Sequence, residues 1–200
     1  MSKQKTGKLF ILSGPSGSGK STILRRVFEK MPEVHFSISA TTRTPRPGEI
    51  EGEHYYFVSE ADFLQMKDAS GLLESNYHFG NWYGTPQKPI ETLLQQGQDV
   101  LLDIEVEGAA QVKGKLPQAV TIFLFPPTME ELERRLRLRG TDTEEKVIKR
   151  LSRAREESAK AMFYDYLVIN DDLDDAITEV LSIIVAEGCK LESRRHLIEA

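Results

Sequence analysis

The chain has few of the residues that hold small proteins together covalently or through metals: Cys189 is its one cysteine among 200 residues. A single thiol cannot form an internal disulfide or a zinc site built from cysteines. No apolar run approaches the roughly 18 residues of a membrane-spanning helix. The first apolar run is also too short for a secretory signal. We therefore expect no disulfide, no membrane contact and a cytoplasmic location.

An excess of charge of one sign is also lacking. The chain has 26 Lys and Arg against 31 Asp and Glu, a formal net charge of −5. This mildly acidic balance disfavours a general nucleic-acid-binding surface, so we expect no nucleic-acid partner. The few histidines do not have metal-ligand spacing, and we expect them to be surface or packing residues. They are His35, His54, His78 and His196.

Short apolar runs alternate with segments of helical periodicity. Strands are predicted over residues 9–13, 99–104, 120–125 and 166–169. Helices are predicted over residues 20–30, 60–67, 89–97, 128–139 and 143–162, with a last helix from residue 173 toward residue 197. This alternation predicts an α/β fold in which helices flank a mainly parallel sheet.

One stretch departs from this alternation. Residues 36–88 are rich in Thr, Pro, Gly, Tyr and His, with short β-like pieces such as residues 54–58. We predict an inserted substrate-binding lobe there. The nucleotide-binding core would then comprise residues 1–35, 89–125 and 164–200, and residues 126–163 would form a helical lid and the helix after it.

A phosphate-binding pattern follows the first predicted strand. It begins at Gly14, ends at Ser21 and fits G-x-x-x-x-G-K-[ST] in full, between a predicted strand and a predicted helix. Glycines let backbone N–H groups turn toward a phosphate, and the start of a helix adds partial positive charge. We expect Lys20 to contact the β- and γ-phosphates and the Ser21 hydroxyl to coordinate Mg²⁺. The predicted nucleotide-contacting residues are Gly14, Pro15, Ser16, Gly17, Ser18, Gly19, Lys20, Ser21 and Thr22.

A carboxylate ends the second predicted buried strand. Asp103 follows the apolar residues 100–102. The carboxyl ends of parallel strands face the ligand crevice of such folds. Asp103 is therefore predicted to hold Mg²⁺ directly or through a water, with capping of a turn as the alternative.

Two arginines dominate the start of the inserted lobe. Arg43 and Arg46 lie three residues apart in an extended segment held by prolines. The planar guanidinium group suits a dianionic phosphate. Ser39, Tyr55 and Tyr83 add hydroxyl donors. Composition alone leaves a loop of solvated arginines equally open.

Taken together, these motifs resemble the guanylate kinases, P-loop nucleoside monophosphate kinases that phosphorylate GMP with ATP. The resemblance spans nearly the whole chain. It is carried by the segments 14–21, 39–49, 52–57, 79–85, 103–108, 135–140 and 168–172.

The resemblance implies the residues that hold GMP. Ser39, Arg43, Arg46, Tyr55 and Tyr83 would hold its phosphate. The guanine would be read by Glu74, Thr85 and Glu105, with Glu49 orienting the arginines. A carboxylate accepts from both N1–H and the 2-amino group of guanine, and adenine lacks this donor pair.

The resemblance also implies a lid that closes over ATP. Its arginines would be Arg135, Arg139 and Arg150, and Asn170 would lie near the adenine. Arg135 and Arg139 are four residues apart and share one face of the predicted helix. Without the resemblance, a charged surface helix pair is the better interpretation of this segment. The implied catalytic residues are Lys20, Arg43, Arg135 and Arg150.

The implied reaction is ATP + GMP ⇌ ADP + GDP, with Mg²⁺ as cofactor, ATP and GMP as partners and self-association through the last helix left open. One alternative is a non-catalytic phosphopeptide-binding module of the same scaffold. Another is a P-loop enzyme with a different acceptor, or a GTPase. A GTPase is disfavoured because the chain has no N-K-x-D sequence.

Overall fold

The structure is a computed structural model that describes residues 6–78, 80–138, 140 and 143–198. Its strands are β1 (Leu9–Ser13), β2 (His35–Phe36), β3 (Ser39–Thr41), β4 (Tyr55–Phe57), β5 (Leu72–His78), β6 (Asn81–Pro86), β7 (Val100–Asp103), β8 (Val120–Phe125) and β9 (Tyr166–Ile169). Its helices are α1 (Lys20–Lys30), α2 (Glu60–Asp68), α3 (Gln87–Gln95), α4 (Val106–Lys115), α5 (Met129–Leu138), α6 (Glu144–Ala159), α7 (Leu173–Cys189) and α8 (Leu191–Arg194).

A five-stranded sheet forms the centre of the fold. Its strand order is β2-β7-β1-β8-β9, and every neighbouring pair is parallel. All five residues of β1 are buried, as expected for a strand covered by helices on both faces. The predicted α/β fold with a parallel sheet flanked by helices is therefore confirmed.

The central sheet separates two apolar cores. Alternate residues of β1 point to opposite faces, so Phe10 and Leu12 join one core, while Leu9 and Ile11 join the other. The first core includes residues of α1 and α7, and the second includes residues of α3 and α4. Burying such a side chain contributes about 1.5–3 kcal/mol. Strand β1 is thus packed on both faces, which fixes the position of the phosphate loop that follows it.

A second, smaller sheet lies within residues 36–88. Its order is β4-β3-β6-β5, with β3 and β4 parallel and the other pairs antiparallel. Ala40 and Leu72 of this sheet form a buried apolar cluster with Phe63 of α2, and the ring of Trp82 stacks on Phe63. The hairpin of β5 and β6 was not predicted from the sequence.

Helices α5 and α6 have a small apolar core of their own. It consists of Leu132, Leu136, Val147, Leu151 and Ala154. Thr128 Oγ1 accepts a 3.1 Å hydrogen bond from the backbone of Glu131, the N-cap that the sequence predicts. Among the described residues, none of the helices combines the length and apolar character needed to cross a bilayer.

One helix was not predicted, and the prediction of another was wrong. Helix α4 was not predicted, because Gly108 and Gly114 lower its intrinsic helix propensity. The last predicted helix is not continuous: α7 ends at Cys189, and Lys190 has extended backbone angles (φ −55°, ψ 141°) before the short α8. The division into core, acceptor lobe and lid stays a prediction.

Candidate active site

The phosphate loop joins β1 to α1 through glycines in conformations that other residues rarely adopt. Gly14, Gly17 and Gly19 have positive φ angles of 154°, 101° and 100°. A Cβ atom on Gly14 would lie 2.1 Å from the carbonyl oxygen of Leu124, so no side chain fits there. The loop therefore lies directly against the neighbouring strand, which fixes the direction of its backbone.

Two side chains donate hydrogen bonds to backbone carbonyls of the loop. The Lys20 ammonium donates to the carbonyl of Gly14. Asn170, which is 5% exposed, donates from Nδ2 to the carbonyl of Ser18 at 2.7 Å. Asn170 thus lies against the loop that was predicted to bind ATP, directly after strand β9.

Asp103 ends β7 beside the start of the phosphate loop. It pairs in register with Leu12 of β1. Burial raises the pKa of Asp103, and the nearby charge of Lys20 opposes that rise. Ser21 lies on the first turn of α1 and is exposed. This places two hard oxygen donors and a cation around the end of the central sheet.

On the acceptor side, Arg43 and Glu49 form a two-point ion pair. The two nitrogens of Arg43 donate to the two carboxylate oxygens of Glu49 at 2.9 and 2.8 Å. The backbone N–H of Arg46 also donates to Glu49, at 2.7 Å. These hydrogen bonds, first of all that from Arg43, lower the pKa of Glu49 to about 2. Glu49 therefore organises the segment that carries both arginines.

Two tyrosines stand beside this ion pair. The rings of Tyr55 and Tyr83 meet edge to face, with their centroids 6.1 Å apart. The guanidinium carbon of Arg43 lies 5.3 Å from the centroid of Tyr55. Burial raises the pKa of Tyr55, which keeps its hydroxyl a hydrogen-bond donor. Ser39 is paired with Tyr55 in the register of β3 and β4, so both belong to the same patch.

Glu74 is a buried carboxylate with neutral partners. It is 5% exposed, and it accepts hydrogen bonds from Thr85 Oγ1 at 2.7 Å and from Asn76 Nδ2 at 3.0 Å. Burial is the main reason why its pKa rises to about 7. Gly108 of α4 leaves room for it, since a Cβ there would lie 2.8 Å from Glu74 Oε2. Glu74 is therefore a proton-sensitive acceptor.

Glu105, predicted to help read the base, lies at the N-cap position of α4. Its Oε2 accepts a 2.6 Å hydrogen bond from Arg153 of α6 and lies 2.5 Å from Nε2 of His78. Glu105 therefore connects three elements of the structure: β5, α4 and α6.

The predicted lid arginines have different surroundings. Arg150 donates to the hydroxyl of Ser16 in the phosphate loop at 3.0 Å. Arg135 donates to Glu131 at 2.7 Å and to the backbone carbonyl of Asn170 at 2.9 Å. Arg139 lies outside the described residues. Arg150 thus contacts the phosphate loop directly, whereas Arg135 contacts the backbone of Asn170, whose side chain contacts the loop.

One cleft of about 680 Å³ brings the two halves of the site together. This volume suits a ligand of nucleotide size. Among the predicted residues, those that line the cleft are Gly14, Ser16, Gly17, Gly19, Lys20, Ser21, Thr22, Arg43, Arg46, Tyr83, Glu105 and Arg150. The phosphate loop and the acceptor arginines therefore share a single space.

Several residues that line this cleft were not predicted from the sequence. They are Asn81, Lys146, Lys149, Arg153 and Glu157. Lys146, Arg150, Arg153 and Glu157 follow each other at spacings of four, three and four residues, which is one face of helix α6. That spacing is a sequence signal that could have identified them.

Comparison with known proteins identifies the family. Residues 6–187 match the family model described as Guanylate kinase. The chain belongs to the guanylate kinase family. This confirms the predicted family and the class of enzyme, a nucleoside monophosphate kinase.

Individual guanylate kinases resemble the chain over almost its full length. That of Desulfitobacterium hafniense (strain Y51) is 45% identical over 197 residues, which covers 98% of each chain. That of Escherichia coli (strain K12) is 45% identical over 194 residues, covering 95% of this chain and 94% of the relative. A crystal structure of guanylate kinase from Anaplasma phagocytophilum has a TM-score of 0.76 and 32% identity, covering 98% of this chain and 99% of that one.

Proposed function

We propose that the chain transfers the γ-phosphoryl group of ATP to GMP, giving ADP and GDP, in the cytoplasm. One observation carries this proposal: the phosphate loop and the acceptor pair Arg43 and Arg46 line the same cleft. A donor phosphate on the loop and an acceptor phosphate on the arginines would therefore face each other. Membership of the guanylate kinase family supports the same reaction.

On the donor side, the loop would bind the ATP phosphates through its backbone N–H groups. Lys20 would exchange its contact with the Gly14 carbonyl for the β- and γ-phosphates. Arg150, which already contacts Ser16 of the loop, would add positive charge to the transferring group. We assign Arg135 a supporting role: it donates to the backbone carbonyl of Asn170, whose side chain holds the phosphate loop.

Mg²⁺ fits the donor atoms found here. Magnesium prefers oxygen ligands and usually keeps several waters, so it needs only one or two protein ligands besides the phosphates. Ser21 and the carboxylate of Asp103 supply such oxygens beside the loop, and Lys20 favours the charged form of Asp103. When bound, the metal neutralises charge on the β- and γ-phosphates.

On the acceptor side, the phosphate of GMP would bind to Arg43 and Arg46. Ser39, Tyr55 and Tyr83 would donate hydroxyl hydrogen bonds to it. The carboxylate of Glu49 keeps the Arg43 guanidinium fixed through two hydrogen bonds, so little freedom is lost on binding.

Glu74 and Thr85 would select guanine. The ionised carboxylate of Glu74 would accept from the N1–H and the 2-amino group. The Thr85 hydroxyl has a single hydrogen, which it donates to Glu74, so it would turn that hydrogen to the guanine O6 when the base binds. Adenine presents an acceptor at N1, so AMP would bring a lone pair toward the buried carboxylate and give it no donor in place of the guanine N1–H.

The chemistry requires positioning and neutralisation of charge rather than a covalent intermediate. The acceptor is already a phosphate oxygen, so no side chain has to act as a strong general base. Water would compete with GMP as an acceptor. We therefore propose that the lobe of residues 36–88 and the lid of residues 126–150 close on the core, residues 1–35, 89–125 and 164–200, before transfer.

The test is a coupled assay of ADP release with ATP, Mg²⁺ and, in separate reactions, GMP, AMP, CMP, UMP or dTMP. The proposal predicts release with GMP and none above background with the other four. Release with another monophosphate would keep the kinase reaction and reject the acceptor assignment.

The matched control is Lys20→Ala. It removes the phosphate contact at the first position of α1 and should nearly abolish turnover while circular dichroism shows an unchanged fold. Full activity of this variant would reject the donor site. ATP binding without turnover in the folded wild-type protein would favour the phosphopeptide-binding alternative.

A further inference from the structure

Arg153 of α6 lies among three carboxylates. Its Nη2 donates to Oε2 of Glu105 at 2.6 Å, and its Nε donates to Oε1 of Glu157 at 2.9 Å. Oε2 of Glu107 lies 3.8 Å from Nη2. Arg153, Glu105 and Glu157 all line the cleft that holds the phosphate loop. This cluster therefore faces the same cleft as the phosphate loop and the acceptor arginines.

The two carboxylates that accept from Arg153, those of Glu157 and Glu105, differ in exposure and in the helix with which they are associated. Glu157 is 6% exposed and lies one helical turn after Arg153, so this pair stays within α6. The Glu105 side chain is 44% exposed and belongs to α4. The contact between Arg153 and Glu105 therefore joins α6, which carries the predicted lid residue Arg150, to a residue implied in reading the base.

Both contacts of Glu105 use the same oxygen. Oε2 accepts from Arg153 and lies 2.5 Å from Nε2 of His78. A carboxylate has two oxygens with about four lone-pair sites in all, so Oε1 keeps the capacity to accept from a ligand. Of the two hydrogens on the 2-amino group of guanine, one would bind Glu74, which leaves the second for Glu105.

We propose that Arg153 is a positioning residue for the guanine-binding carboxylate of Glu105. A half-exposed Glu side chain otherwise populates several rotamers, and fixing it costs conformational entropy when GMP binds. A hydrogen bond from a charged guanidinium restrains that side chain before the ligand arrives. Glu157 holds the guanidinium in turn. The proposal rests on the proposed function, since it assigns Arg153 to the GMP side of that reaction.

A simple alternative is that Arg153 is another donor-side lid arginine. It shares the helix face of Lys146, Lys149 and Arg150. The two roles differ in which substrate they affect. A donor-side arginine changes kcat and the KM for ATP, whereas a residue that positions Glu105 changes the KM for GMP.

The first variant is Arg153→Gln, with Arg155→Gln as the matched control. Arg155 is exposed, two positions further along the same helix. We expect Arg153→Gln to raise the KM for GMP about tenfold, with kcat and the KM for ATP within about twofold of wild type. Arg155→Gln should match the wild type in all three. An unchanged KM for GMP, or an equal rise in the KM for ATP, would overturn the proposal.

Removing Arg153 also leaves Glu157 buried without its partner, which could disturb α6 by itself. The double variant Arg153→Gln/Glu157→Gln removes both charges. A KM for GMP that stays about tenfold raised supports positioning through Glu105, and a return to the wild-type value rejects it. Circular dichroism and thermal unfolding report the state of the helix.

A second pair of variants tests the route through Glu105. Glu105→Gln should raise the KM for GMP, and Arg153→Gln/Glu105→Gln should raise it no further than Glu105→Gln alone. Independent, multiplying effects would overturn the positioning role. A wild-type protein that does not phosphorylate GMP would reject the proposed function, and this inference with it. An active wild type with unchanged Arg153 variants rejects the inference alone.

Discussion

Thr85 Oγ1 donates a 2.7 Å hydrogen bond to Oε1 of Glu74 across the paired strands β5 and β6. Both residues are buried, with exposures of 0% and 5%. The neutral hydroxyl favours the charged form of the carboxylate, but it does not offset burial, and the pKa of Glu74 still rises to about 7. The hydrogen bond from Thr85 thus orients the Glu74 carboxylate, which can accept further hydrogen bonds from a base.

The first prediction concerns Glu74→Gln. The amide turns an NH₂ group toward the guanine donors, and a buried donor without a partner costs about 2 kcal/mol. We therefore expect kcat/KM for GMP to fall about 30-fold, while the KM for ATP stays within about twofold. Steady-state kinetics with each substrate varied in turn measures both. A larger change in the KM for ATP than in that for GMP would reject Glu74 as the base-selecting residue.

The second prediction is a pH dependence. Glu74 must be ionised to accept from guanine, so kcat/KM for GMP should fall as the pH drops below about 7, the pKa of Glu74. The phosphate of GMP also titrates in this range. The control is Glu74→Gln. Its kcat/KM should still vary with the titration of the GMP phosphate, but the pH dependence due to the Glu74 carboxyl should be lost. Parallel pH profiles of the two proteins would contradict the assignment.

The same pKa has a consequence for folding. The folded protein holds the Glu74 proton up to about pH 7, whereas the unfolded chain releases it near the ordinary value of 4.5. Between these values the folded state binds more protons, so the free energy of unfolding should fall as the pH rises, by about 3 kcal/mol for this group. Denaturant unfolding at several pH values should show a smaller decrease in Glu74→Gln than in the wild type. Equal decreases would argue against the raised pKa.

Two glycines of α4 give a matched pair of variants. A Cβ on Gly108 would lie 2.8 Å from Glu74 Oε2, whereas a Cβ on Gly114 would meet nothing within 4 Å. Gly108→Ala should displace Glu74 and raise the KM for GMP about tenfold. Gly114→Ala should leave the kinetics unchanged and stabilise the protein by about 0.5–1 kcal/mol, because alanine is the better helix former. Equal kinetics of the two variants would show that Glu74 is not confined by Gly108.

Asn170 provides a test of the donor side. Its side chain donates to the Ser18 carbonyl in a buried contact. In Asn170→Asp the shape is kept, but an acceptor faces the carbonyl in place of the donor. We expect a loss of about 1–3 kcal/mol in stability and a rise in the KM for ATP that exceeds the rise for GMP. Thermal unfolding and initial rates measure these effects. An equal rise in the KM values for ATP and GMP would show that the Asn170 contact does not act specifically on ATP binding.

The sequence predicted the central sheet well because its signals are local. Leu9–Ser13, Val120–Phe125 and Tyr166–Ile169 are short apolar runs, and the structure has strands with these bounds. The phosphate loop is likewise contiguous, so its spacing alone placed Lys20 and Ser21 at the start of a helix. The resemblance to a family added the roles of residues that are far apart in the chain.

The rest depends on contacts between distant residues. The hairpin β5–β6 has no clean alternation, because Glu74 of β5 is buried as a polar group. The Arg153–Glu105 contact joins residues 48 positions apart, and no local pattern announces it. Helix α4 was missed because tertiary packing of Val112 and Ala109 outweighs its glycines.

The most direct test of the account follows the phosphoryl group itself. The protein is incubated with Mg²⁺, ATP labelled in the γ-phosphoryl group, and GMP, AMP, CMP, UMP and dTMP together at equal concentrations. Separation of the nucleotides at early times should show the label in GDP alone, and Lys20→Ala should leave it in ATP. Label in another diphosphate, or only in inorganic phosphate, would contradict transfer to GMP.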